Sequence, residues 1–325
     1  MNAGAIGKKT IKGVDFTINF MFLTIIILLL AFSGYALWDS KQIYDKADKT
    51  NYAIYKPSVE DEGQSFQELH DLSPEVLAWL CVYGTNIDYP VTQGKDNMKY
   101  INTSAEGTYS MSGAIFLDYG NSKDFSDFNS ILYGHHMEQK KMFGDIGSFS
   151  SKEVFDERRY GNLYYGGADH GVEFFAFLHT DAYDSILFSP NLKEEERRQK
   201  FLDSIFAKAS HKRDIKVTTK DNIILLSTCS ASSTNGRDIL VGKITKKTYD
   251  DPFAPKADPI VKKETQHVDS VENFNFMRDF DPSALWLVLA AASAMALRSA
   301  FNSAIEKRQE KLLESTKKNK ARPRI

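Results

Sequence analysis

The sequence predicts a mainly β fold, a barrel or sandwich of eight short strands with peripheral helices, joined to an N-terminal transmembrane helix. Short apolar segments recur through the middle of the chain, each closed by turn-forming residues such as Gly84-Thr85, Gln93-Gly-Lys-Asp-Asn97 and Tyr119-Gly-Asn-Ser122. An almost unbroken apolar run, Phe16 to Trp38, precedes them. Of the 325 residues, 42% are hydrophobic and 26% charged, which suffices for a sizeable core.

The N-terminal run contains Met21-Phe-Leu-Thr-Ile-Ile-Ile-Leu-Leu-Leu-Ala-Phe32 and exceeds the roughly 20 apolar residues a helix needs to cross hydrocarbon. A cleavable secretion signal has a shorter apolar region, roughly 7–15 residues, although Gly34-Tyr35-Ala36 has the small residues of a cleavage site. Lys8, Lys9 and Lys12 precede the run, and charges of both signs follow it. The positive-inside bias therefore assigns residues 1–15 to the cytoplasm, 16–38 to the membrane and the folded domain to the outside.

Residues 39–68 are polar and read as a stalk with a short helical segment, followed by a folded domain over 69–250. Its candidate strands are Leu77–Val82, Ala114–Leu117, Ser130–Tyr133, Asn162–Tyr165, Val172–Leu178, Ile215–Val217, Asn222–Leu226 and Ile239–Ile244. One helix interrupts them, started by Ser189-Pro190, acidic early at Glu194, Glu195 and Glu196, and basic late at Lys208, Lys212 and Arg213. Phe201, Leu202, Ile205, Phe206 and Ala209 give it an apolar face that reads as core packing. Residues 251–282 are rich in Pro and charge and read as a linker. The apolar stretch at 283–301 is expected to form a second span if Arg298 snorkels, with a basic cytoplasmic tail at 302–325. Its alternative is a buried or surface helix with a solvated tail.

A formal net charge of −2 gives no reason to expect nucleic acid as a partner. The two cysteines differ in setting. Cys81 follows Val76-Leu-Ala-Trp-Leu80 and reads as a small core hydrophobe. Cys229, in Leu225-Leu-Ser-Thr-Cys-Ser230, comes just after an apolar strand and before the polar loop Ala231-Ser-Ser-Thr-Asn-Gly236, where a nucleophile would be accessible. His135 and His136 end another strand, and Arg237 opens the strand after the loop. Cysteine with histidine suits acyl transfer, and arginine adds a permanent positive charge for an oxyanion or a substrate carbonyl. These residue types alone do not establish catalysis. The other histidines show no metal-ligand spacing, so no metal and no other cofactor is expected.

These motifs resemble the sortase family of cysteine transpeptidases, which is marked by a Thr-Leu-x-Thr-Cys strand end, an upstream strand-end histidine and an arginine on the next strand. The matching residues are Leu226-Ser-Thr-Cys229, His135 and Arg237. Gly84-Thr-Asn-Ile-Asp-Tyr-Pro-Val-Thr-Gln-Gly-Lys-Asp-Asn97, Gly113-Ala-Ile-Phe-Leu-Asp118, Tyr133-Gly-His-His-Met137 and the helix after Pro190 are similar in style to class B members. The resemblance spans Leu69 to Lys246 and departs from the family at Leu225, where threonine is usual. It implies an eight-stranded barrel with Cys229 as nucleophile, His135 as general acid/base and Arg237 beside the oxyanion. The hydroxyls of Ser227 and Thr228 are candidate donors to substrate, with structural packing as the alternative for Thr228. It further implies an extracellular, membrane-held enzyme that cleaves the C-terminal sorting signal of secreted proteins. The acyl group would pass to an amine, from a peptidoglycan precursor in cell-wall anchoring or from a pilin lysine in pilus assembly. A second C-terminal span is similar to pilus-assembling members. The competing expectations are a membrane-tethered cysteine hydrolase and a non-catalytic extracellular binding module.

Overall fold

The computed structural model of the protein describes residues 3–58, 63–229 and 235–254. Nine strands form one sheet: β1 (Val76–Val82), β2 (Asp88–Thr92), β3 (Ile115–Leu117), β4 (Asn129–Tyr133), β5 (Tyr160–Tyr165), β6 (Ala168–Asp181), β7 (Ala209–Lys212), β8 (Asn222–Cys229) and β9 (Gly236–Thr245). Eight of them close on themselves in the order β5-β1-β2-β3-β4-β8-β9-β6, because β6 also pairs with β5, and β7 adds to β6 outside the ring. Closure leaves the ring with no open edge. The pairs β2–β3 and β4–β8 are parallel and the others antiparallel. The expected eight-stranded barrel is thus present.

The run Ile223-Ile-Leu-Leu226 is apolar without alternation because β8 is covered on both faces. Ile224 and Leu226 join the main core with Trp79, Leu80, Tyr89 and Leu240. Ile223 and Leu225 join a second core with Phe201, Leu202 and Ile205 of the helix α4 (Glu195–Lys208). Burying one such side chain contributes roughly 1.5–3 kcal/mol, so α4 is held mainly by this face.

The N-terminal helix α1 (Ala3–Lys46) is continuous, so the expected span lies inside one longer helix, and it is long and apolar enough to cross a membrane. Phe16, Phe20, Leu28, Phe32 and Trp38 are exposed on it. Its hydroxyls bond back along the helix, Thr24 Oγ1 to the Phe20 carbonyl (2.9 Å) and Ser33 Oγ to the Leu29 carbonyl (2.8 Å). That arrangement gives these two hydroxyl protons an acceptor within the helix. A 3₁₀ segment, Lys49–Tyr55, then lies on the barrel with Tyr52 buried, capped by Asp48, whose carboxylate accepts from the Thr50 amide at 2.9 Å. Two further helices follow, α2 (Gln64–Leu72) and α3 (Lys152–Glu157).

The structure departs from the expected elements in several places. The helix expected to run on through Ala209 to Lys212 and Arg213 ends at Lys208, and Ala209–Lys212 instead form β7, paired with β6. Residues 88–92 form β2, which Pro90 disguises, since proline inside a run argues against a strand. Pro90 sits opposite Trp79, while the β2–β3 pairing begins only at Val91. Ile215–Val217 is no strand; its two apolar residues alternate because both pack on the second core. α4 starts at Glu195 instead of Pro190, because Asn191 adopts φ 57° and breaks any helix there. The linker beyond residue 254, the second span at 283–301 and the basic tail lie outside the described residues.

Candidate active site

The parallel pairing of β4 with β8 brings the sequence-predicted residues to one edge of the sheet. Tyr133 faces Ser227, and the Gly134 amide still donates to the Ser227 carbonyl at 3.3 Å, so His135 follows on β4 where Cys229 follows on β8. On the other side of β8, Cys229 is paired with Arg237 of β9, which in turn pairs with Thr180 of β6. Residues 230–234, which connect Cys229 to β9, lie outside the described residues.

Gly134 is required at its position: a Cβ there would sit 2.8 Å from the Phe143 ring. The chain then turns, and half-buried His135 sets Nε2 at 2.8 Å from the Ile101 carbonyl. A carbonyl only accepts, so this bond selects the tautomer with the proton on Nε2. The His135 carbonyl accepts from the Phe143 amide at 3.0 Å. His136 lies in a bridge with Met142, and its buried Nδ1 has no hydrogen-bond partner among the described residues.

Ser227 and Thr228 are buried, and neither hydroxyl has a partner among the described residues. Unspent hydroxyl capacity beside a candidate nucleophile is unusual, because buried polar groups are nearly always bonded. Arg237 is half-buried, and one of its guanidinium nitrogens, Nη1, donates to the Gly236 carbonyl at 3.2 Å.

Beside these lies a cluster that sequence reasoning did not single out. Tyr133 donates to Asp118 Oδ2 at 3.1 Å, and that buried carboxylate also accepts from Asn97 Nδ2 and the Gly120 amide, each at 2.8 Å. Burial pushes the Tyr133 phenol far above its usual range, the Asp118 charge adds to this, and Arg237 opposes it. Arg237 is therefore within electrostatic reach of the phenol. Phe188, from the segment between β6 and α4, stacks on the Tyr133 ring with centroids 6.3 Å apart and walls this side of the site. Asn97, Asp118 and Tyr133 each sit inside a motif that carries the family resemblance, but nothing in those motifs announced one hydrogen-bonded unit.

Cys81 is partly buried and unpaired, and burial, reinforced by the Asp88 charge, pushes its thiol up to about 12. It borders a cavity of about 520 Å³ whose wall includes Lys49, Lys56, Asp88 and Phe253 and none of the predicted site residues. That cavity is therefore separate from the strand-end residues the sequence points to.

No family model matches the chain. The chain is 30% identical over 211 residues to sortase B of Listeria monocytogenes, covering 64% of this chain and 83% of that protein. It is 49% identical to the crystal structure of sortase B from the type II pilus of Streptococcus pneumoniae, covering 56% of this chain and 99% of that one, with a TM-score of 0.50. A class B sortase involved in pilus biogenesis in Streptococcus pyogenes matches at 38% identity, 56% and 99% coverage and a TM-score of 0.52.

Proposed function

Because the chain belongs to the sortase family of cysteine transpeptidases and is similar to its class B members, we propose that it cleaves a sorting signal through Cys229 and transfers the acyl group to an amine. The observation that carries this reading is the register. Tyr133 faces Ser227, two residues before both His135 and Cys229, and Cys229 faces Arg237.

The Cys229 thiolate attacks the scissile carbonyl carbon, forming a C–S bond and an oxyanion that the Arg237 guanidinium neutralises. Protonated His135 gives its Nδ1 proton to the leaving amine as the C–N bond breaks, since Nε2 stays committed to the Ile101 carbonyl. A thioester remains on Cys229. The acceptor amine then loses a proton to His135, attacks the thioester and releases the thiolate. The hydroxyls of Ser227 and Thr228 find their missing partners in the substrate backbone. The helix α1 holds the domain on the outer face of the membrane, with Lys8, Lys9 and Lys12 inside. The identities to two pilus sortases favour a pilin lysine as acceptor over a peptidoglycan amine.

Product analysis tests the assignment. The full chain is incubated with a library of sorting-signal peptides, with and without a lysine-containing pilin fragment. Amide formation that needs Cys229 supports transfer. Cleavage to free acid alone, unaffected by any amine, would mean a hydrolase, and no cleavage by folded, reduced protein would mean a binding module.

A further inference from the structure

The loop that follows His135 is built unlike the rest of the barrel. Gln139, Lys140 and Met142 all have positive φ, at 57°, 57° and 51°, a conformation that non-glycine residues rarely adopt and that persists only when neighbours enforce it. What enforces it is the end of the membrane helix. Lys141 Nζ donates to the Tyr44 carbonyl at 2.7 Å and to Asp48 Oδ2 at 2.9 Å. Its side chain is 14% exposed, so the contact is largely shielded from solvent. A second tie runs in parallel: the Tyr89 hydroxyl donates to the Ala47 carbonyl at 2.9 Å and accepts from the Met142 amide at 3.2 Å.

The same loop is fastened to His135. The Phe143 amide donates to the His135 carbonyl, Met142 bridges to His136, and the Phe143 ring fills the space that Gly134 leaves open. Met142 and Phe143 are buried, so neither can shift without disturbing the core. A continuous set of contacts therefore runs from Tyr44, Ala47 and Asp48 through Lys141 and Met142 to the backbone of His135.

We propose that Lys141 is a positioning residue through which the membrane-proximal end of α1 holds the strained loop, and with it His135, in place for catalysis. The inference rests on the reading of His135 given above. It makes the segment after the membrane span part of the catalytic apparatus, where the sequence had suggested a stalk.

The test uses the full chain in detergent micelles, as wild type, Lys141→Met, Asp48→Asn and Lys141→Arg. Hydrogen exchange over residues 134–144 is read first, since it needs no substrate. The expected result is at least tenfold faster exchange there in Lys141→Met and Asp48→Asn, with β8 unchanged. Against the peptide that the wild type cleaves, kcat should fall about 5- to 20-fold with KM within twofold, and Lys141→Arg should restore most of it. Unchanged exchange in both charge-removing variants, or a change in KM without kcat, overturns the proposal. If Lys141→Met loses protection throughout the barrel, Asp48→Asn decides the question. A wild type inactive on every peptide would instead overturn the assigned function, and the exchange data would still decide whether the tie exists.

Discussion

Arg237 and Tyr133 show how much of the proposed chemistry depends on single groups. The guanidinium of Arg237 works on its surroundings as a fixed charge, visible in its pull on the buried Tyr133 phenol. Lysine would keep the charge but not the planar, multi-donor geometry. Arg237→Lys should lower kcat/KM about 10²-fold, as removal of an oxyanion donor does, while leaving the melting temperature nearly unchanged. Steady-state cleavage of the preferred peptide measures this, and a loss below about threefold would remove Arg237 from the mechanism. The two cysteines offer a second check. Cys81, pushed up to about 12 by burial, stays a thiol at neutral pH and cannot act as a nucleophile. Iodoacetamide at pH 7.5 should therefore label the native protein once, at Cys229, and label both cysteines only after unfolding. Labelling of native Cys81 would contradict its burial. The apolar neighbours of Cys81 suggested a core position, but it sits at the edge of the core, partly buried on a cavity wall. The hydrogen-bonded unit of Asn97, Asp118 and Tyr133 was not legible, because its members lie far apart in the chain and converge only when the barrel closes.

At the scale of elements, legibility followed the strength of the local signal. β8 and α4 were readable because each has a long apolar pattern: a continuous run where both faces are covered, and a helical stripe where one is. β2 was hidden by Pro90, and Ile215–Val217 imitated a strand because the second core imposes the same alternation without a ladder. The junction after α1 was read as a stalk since nothing in a polar, charged segment reveals that it lies on the barrel. Desolvation raises the Asp48 carboxyl, but the Lys141 hydrogen bond, the Thr50 bonds and the Lys141 charge outweigh it and bring it from 3.8 to about 2. A pKa depressed in the folded state stabilises above the unfolded value and loses that contribution as pH falls. The melting-temperature advantage of wild type over Asp48→Asn should thus be full above about pH 4 and vanish near pH 2. A difference independent of pH over that interval would show that the Asp48 charge does not hold this junction.

Across the whole molecule, closure of the barrel converts distant sequence positions into one site. His135 and Cys229 are far apart in the chain, yet β4 and β8 run side by side and in the same direction, so both strand ends emerge together. Cys229 and Arg237 meet for a simpler reason, being opposite each other in one antiparallel pair. The strand register brings to one edge of the sheet the residues that the motifs single out. The central claim is that Cys229 carries the acyl group between donor and acceptor. Intact-mass spectrometry of the wild type and Cys229→Ala after incubation with the sorting-signal peptides, acceptor withheld, tests it most directly. The account predicts a hydroxylamine-sensitive adduct, with the mass of the cleaved acyl fragment, on the wild type alone. Product formed equally well by Cys229→Ala, or an adduct on any residue other than Cys229, would contradict it.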